Sequence, residues 1–200
     1  MRVMTHFLLW KLGLAEAETQ TSVAERDCLE RHAFGRRCLV EIGVWHGVTT
    51  CRLRAAMASD GVLFGVDPFP AGRLGFSAQW QIARKEVGKI SNGTIRWVRL
   101  TGVKAARNQT SLNVGPVDFV FIDGDHSFDG LRGDWEAWSP LVTLGGMIAL
   151  HDSCSSAARQ IDDAGSVIYT AEVIRRDARF ELVEIVDTLT IVRRIEKEMI

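Results

Sequence analysis

The chain has 200 residues, 46% hydrophobic and 24% charged, which are the proportions of an ordinary globular domain and exclude disorder and collagen-like repeats. Its 24 Lys and Arg against 25 Asp and Glu leave a net charge of −1 with no run of either sign, so an electrostatic grip on nucleic acid is not expected. The basic pairs Arg36-Arg37, Arg175-Arg176 and Arg193-Arg194 read as solvated faces.

Four cysteines (Cys28, Cys38, Cys51 and Cys154) lie far apart without a Cys-x-x-Cys pair, which fits free thiols in a reducing compartment better than a zinc or disulfide framework. The apolar run Phe7-Leu8-Leu9-Trp10 is interrupted by Lys11 and followed by Glu16 and Glu18, too soon for a signal core or a membrane span. A cytoplasmic, soluble protein with no membrane partner is the expectation.

Residues 1–36 read as an N-terminal helical segment, a cap or dimerisation element ahead of a main domain at 37–200. Ser22-Val23-Ala24-Glu25 forms a capping box that opens a helix through about His32. The apolar stretch from Phe7 to Leu12 suits pairing with a second copy as a homodimer. Next come five short, nearly continuous apolar runs, Cys38–Gly43, Val62–Asp67, Ile95–Leu100, Val117–Asp123 and Met147–Leu150, as expected of parallel strands buried on both faces. Between them Phe76, Trp80, Ala83, Val87 and Ile90, and then Phe128, Leu131, Trp135, Trp138 and Val142, recur at helical spacing and give each helix one apolar stripe. Phe180–Val186 and Leu189–Ile195, separated by Asp187-Thr188, close the chain as an antiparallel hairpin. The order is therefore α/β and doubly wound, with ligands expected beyond the carboxyl ends of the strands.

The residues at those ends are informative. The first run closes in Glu41-Ile42-Gly43-Val44-Trp45-His46-Gly47, where glycines permit a tight turn beside a ligand and a buried carboxylate calls for a partner. Val44 and His46 stand where a dinucleotide fingerprint needs glycine, which weighs against the rival reading of an NAD(P)-dependent oxidoreductase. Asp67, ending the second run, can accept two bonds from vicinal ribose hydroxyls. Asp123 and Asp152 end the fourth and fifth runs, and two converging carboxylates require a cation or donor between them. His126 stands three residues past Asp123, and imidazole is the side chain that exchanges a proton near neutrality. His46 reads as a surface residue, and His6 and His32 have no evident partners in the sequence.

Glu41–Gly47, Asp67, the block Phe119-Val120-Phe121-Ile122-Asp123-Gly124-Asp125-His126-Ser127-Phe128, and Gly145-Gly146 followed by His151-Asp152 together resemble class I S-adenosylmethionine-dependent methyltransferases, in particular the small-molecule, sugar-type O-methyltransferase branch. The resemblance runs from about Arg37 to Ile195. It implies a Rossmann-like seven-stranded sheet of order 3-2-1-4-5-7-6 with strand 7 antiparallel. It implies S-adenosyl-L-methionine as cofactor, bound by Glu41, Gly43, Gly47, Asp67, Gly102 and Asp123, with Gly102 near the adenine. Relatives often carry Asp or Ser after that glycine, whereas Val103 stands here. The acceptor would be a hydroxyl of a small molecule, such as a sugar of a natural product or glycolipid. His126 would be the base, with Asp125 orienting it or holding a substrate donor, and His151 a second proton handler. Related enzymes that use a divalent metal such as Mg or Mn imply Asp123, His151 and Asp152 as its ligands; the alternative is a metal-free site. A non-enzyme rival is a methyltransferase-like binding protein without catalysis. Acceptor specificity would come from residues before Arg37 and from a mobile Pro68–Ser77 loop.

Overall fold

The computed structural model describes residues 2–72 and 75–196. Arg73 and Leu74, in the middle of the loop expected to act as a lid, lie outside the described residues. Helices α1 (Arg2–Lys11) and α2 (Val23–Ala33) precede the sheet. The alternation then runs β1 (Cys38–Ile42), α3 (Val48–Ala56), β2 (Val62–Val66), α4 (Ala78–Val87), β3 (Thr94–Val98), α5 (Gly102–Arg107), β4 (Val117–Ile122), α6 (Phe128–Trp138) and β5 (Val142–Leu150). Helix α7 (Gly165–Glu172) leads to the hairpin β6 (Phe180–Val186) and β7 (Leu189–Arg194). The strands form one sheet of order 3-2-1-4-5-7-6; β1 to β5 pair in parallel and β7 is antiparallel to both its neighbours. Among the described residues no helix is long and apolar enough to cross a membrane.

Strand alternation divides the core between the two faces. Val40, Val120 and Ile148 pack on one side with Leu131, Trp135 and Trp138 of α6, while Leu39, Phe119, Phe121 and Ala149 pack on the other with Leu29 of α2 and Leu53 of α3. All five residues of β1 are buried, as its unbroken apolar run requires. The capping box is present: Ser22 Oγ accepts from Glu25 N at 3.1 Å, and Glu25 Oε2 accepts from Ser22 N at 2.7 Å.

Several boundaries differ from the sequence reading: Phe76 and Ile90 lie outside α4, and β3 ends at Val98, short of Leu100. Helix α6 stops at Trp138, because Ser139–Leu141 tighten into a 3-10 turn with Pro140 at its start, and Val142 belongs to β5 instead of the helical stripe. Strand β5 is longer than Met147–Leu150, because Gly145 at φ +74° and Gly146 form an irregularity inside the strand and do not mark its beginning.

Candidate active site

Parallel strands all point their carboxyl ends to one edge, and the loops there surround a cavity of about 610 Å³. Glu41, Gly43, Asp67, Gly102, Asp123, Asp125 and His126 all line it. Gly47, His151 and Asp152 do not. Gly47 begins α3 at φ +79°, where a Cβ would fall 2.9 Å from Val87 Cγ2, so a glycine here permits the close packing of α3 against α4. Gly43 is different in kind: at φ +85° a Cβ would fall 2.1 Å from the Asp123 carbonyl oxygen, and the bare backbone keeps the β1 and β4 ends in contact beneath the cavity.

Glu41 is fully buried, and neither of its carboxylate oxygens has a hydrogen-bond partner. Burial pushes its carboxyl well above the usual range; the Thr50 hydroxyl partly offsets this, and Asp123 and Asp67 add to it. Asp67 is better satisfied. Its Oδ1 accepts from Phe69 N at 2.6 Å, and its Oδ2 accepts from Val44 N and from Gln79 Nε2, each at 3.1 Å. The carboxylate is thus aimed by its own turn and by the glycine loop, with Gln79 its one side-chain partner among these bonds.

The β4 and β5 ends assemble a second group of charges. Asp123 Oδ1 lies 2.7 Å from His151 Nδ1 and 3.6 Å from His126 Nε2. His151 is enclosed, with Glu25 Oε2 at 3.5 Å from its Nε2 and Asp152 Oδ1 at 3.8 Å from its Nδ1. Neither ring nitrogen makes a directed hydrogen bond, so these contacts are ion pairs. Burial disfavours the His151 cation, but Asp123, Glu25 and Asp152 outweigh it and raise the imidazole to about 10. Burial likewise opposes the Glu25 carboxylate, yet the adjacent His151 and hydrogen bonds from Thr188 and Ser22 lower it to about 2. Asp152 sits at φ +49°, and its Oδ2 accepts from Arg159 Nη2 at 2.6 Å.

His126 stays partly open, with 36% of its side chain exposed on the cavity wall and Asp152 Oδ2 at 3.9 Å from Nε2. Its loop is held at both ends: Ser166 N donates to the His126 carbonyl at 2.9 Å, and Ser127 Oγ caps α6 by accepting from Gly130 N. Asp125 Oδ1 takes the Ser127 N–H at 2.9 Å, and the Ser127 bonds hold its carboxyl below the usual range. Its hydrogen bond therefore goes to the turn and not to the His126 ring.

Sequence reasoning missed several neighbours. Glu25, noticed as a helix cap, also reaches His151 and accepts from Thr188 N and Oγ1 at 2.9 and 2.7 Å. Glu18, Thr19 and Gln20 line the cavity from the N-terminal segment, and Trp45 lines it from the glycine loop. His46 is buried at 3% exposure, against the surface placement expected of it: its Nδ1 accepts from Glu18 N at 3.1 Å and its ring stacks on His6 at 5.1 Å. His6 pairs with Glu18 and His32 with Glu184, partners that only tertiary folding brings near. Asp134 of α6, also missed, lines the cavity at 7% exposure.

A family model described as a methyltransferase domain matches residues 40–153, more than half of the chain and the stretch that carries Glu41, Asp67, Asp123 and Asp152. The chain belongs to this family and is a class I, S-adenosylmethionine-dependent methyltransferase. Among solved structures it is similar to a Corynebacterium glutamicum protein, with 18% identity, a TM-score of 0.65 and coverage of 99% of this chain and 90% of that one. It is also similar to an O-methyltransferase from Bacillus cereus crystallised with SAH, with 17% identity, TM-score 0.63 and coverage of 97% and 91%. An rRNA methylase from Streptococcus thermophilus shares 10% identity at TM-score 0.58, over 90% of this chain and 100% of that one. Identities this low carry the fold and nothing finer. No curated protein matches the sequence.

Proposed function

We propose that the enzyme transfers a methyl group to a hydroxyl of a small molecule, such as a sugar of a natural product or glycolipid, with His126 as the base. The observation that carries this reading is the position of His126 on the wall of the same cavity as Glu41 and Asp67. S-Adenosylmethionine supplies the methyl as an electrophilic carbon on a sulfonium. Glu41 suits the cationic methionine part, because a buried carboxylate without a partner is stabilised by a positive charge brought to it. Asp67 suits the ribose diol, which would take the place that Gln79 Nε2 now holds. Gly43 and Gly102 line the same cavity.

A hydroxyl on the cavity side of His126 loses its proton to the ring as it attacks, and Asp123 and Asp152 stabilise the imidazolium that results. His151, already paired with three carboxylates, is a fixed positive charge beneath this site in our reading and not the proton acceptor. A divalent ion is a second reading of the same cluster, favoured by the ring nitrogens of His151 and by Asp152 Oδ1, all buried without directed partners. Asp123, His126 and His151 lie close enough together to hold one, and two imidazoles with a carboxylate suit Mn better than Mg.

The cavity falls within the range of about 300–1,000 Å³ usual for small-molecule sites, which favours such an acceptor over nucleic acid. Residues 1–36 are proposed as its cap, since Glu18 to Gln20 line it, and the exposed Val3 and Leu8 of α1, with Leu12 just past its end, support a contact between copies. Four free cysteines support a reducing, cytoplasmic setting. The test is calorimetry with S-adenosylhomocysteine, followed by a panel of hydroxylated acceptors. Binding with methylation of at least one hydroxyl is expected; the absence of binding at high micromolar concentration overturns the proposal, and binding without turnover favours the non-enzyme reading.

A further inference from the structure

We propose that Asp134, on the second turn of α6, receives the exocyclic 6-amino group of the cofactor's adenine and makes the site selective for a 6-amino over a 6-oxo purine. The inference rests on the cavity being the cofactor site. One end of that cavity is walled by Gly102, Val103, Gly124, Gly130 and Gly133, four of them without a side chain, which leaves a slot suited to a flat ring. Asp134 closes this end at 7% exposure. Its carboxylate presses on the glycine walls: a Cβ on Gly102 would fall 2.2 Å from Oδ1, and one on Gly124 would fall 3.4 Å from Oδ2. Only glycine at 102 leaves room for this acid.

The surroundings fix the carboxylate and leave it short of donors. Trp138, one turn further along α6, donates from Nε1 to the Gly102 carbonyl at 3.0 Å and locks the helix to the slot. Burial and the nearby Asp125 push the Asp134 carboxyl up to about 6, and the Val103 N–H is the one donor that offsets this. The other polar groups of the lining near this end are engaged elsewhere: Asp125 accepts from Ser127 N, Asp129 is exposed and paired with Arg132, and the Thr101 hydroxyl accepts from Lys104 N. An ionised carboxylate is an acceptor only, so it rewards an amino group and repels a carbonyl oxygen at the same ring position. Helix α6 thus supplies the acid that the loop after β3, with Val103, does not.

The experiment compares S-adenosylhomocysteine with S-inosylhomocysteine, its 6-oxo counterpart, by calorimetry on the full chain. Wild type is expected to prefer the adenosyl compound by about 10- to 100-fold, the range of a hydrogen bond to a charged acceptor. Asp134→Asn, which offers an amide donor as well as an acceptor in nearly the same volume, is expected to bring the two affinities within about threefold. Thermal unfolding of the free variant checks its fold, and the wild-type ratio needs no variant at all. Equal binding of both compounds by wild type, or an unchanged preference in a folded Asp134→Asn, overturns the role of Asp134 and leaves the cofactor reading intact. Binding of neither compound by wild type overturns both.

Discussion

Glu25 Oε2 stands 3.5 Å from Nε2 of His151, so the residue that caps an N-terminal helix is also a counter-ion buried beneath the catalytic edge of the sheet. Breaking a buried pair leaves an uncompensated charge, at a cost of about 3–5 kcal/mol. Glu25→Gln is accordingly expected to lower the urea midpoint markedly. Its carboxyl is held at about 2 against an ordinary 4.5, so its contribution is fully present above 4.5 and is lost as pH falls towards 2. The variant should therefore lose less stability than wild type between those values. An unchanged midpoint at neutral pH would show that the pair contributes nothing.

His126→Ala removes the imidazole that faces the cavity while leaving Glu41 and Asp67 in place. Turnover is expected to fall by about 10²- to 10⁴-fold, the usual contribution of a positioned general base. S-Adenosylhomocysteine affinity should be unaffected, because no proposed cofactor contact is lost. A rate within error of wild type removes His126 from the chemistry, and a loss of cofactor binding reassigns it.

The sheet was legible because parallel strands buried on both faces leave unbroken apolar runs, and β1, β2 and β4 begin where those runs begin. The strand-end acids were legible for the related reason that Glu41, Asp67, Asp123 and Asp152 each interrupt or end such a run. What pairs with them was not. Glu25 and His151 are 126 positions apart and meet only because α2 packs behind the sheet, and Arg159 reaches Asp152 from a loop without periodicity. The sequence could not show that Gly47 also packs α3 against α4, because a glycine set by helix packing and one set beside a ligand have the same one-letter signature.

His151 is paired on both ring nitrogens, and Arg159 occupies one oxygen of Asp152, so the cluster already contains its own positive charge. Activity is expected to survive dialysis against a chelator and to change by less than about twofold on adding Mg or Mn, below the effect of losing a metal that stabilises transition-state charge. Metal analysis of the purified enzyme is the companion measurement. Stoichiometric Mn, with activity lost on its removal, would establish the metal reading in place of this one.

Glu41 and Glu25 are both buried glutamates, yet their linkage to pH has opposite sign. The Glu41 carboxyl is raised well above 4.5, chiefly by burial, so its contribution to the free enzyme is fully present below 4.5 and is lost as pH rises through the raised value. Glu41→Gln keeps the shape and removes the ionisation. The variant should gain thermal stability over wild type as pH rises from weakly acidic to weakly alkaline, with the difference vanishing below 4.5. The same change should weaken S-adenosylhomocysteine binding by about 10- to 100-fold, since a charge-assisted partner for the ligand's ammonium group is gone. Saturating cofactor should in turn stabilise wild type more than the variant at neutral pH. If the two proteins bind it alike, the orphaned carboxylate is a feature of the core and does not face the ligand.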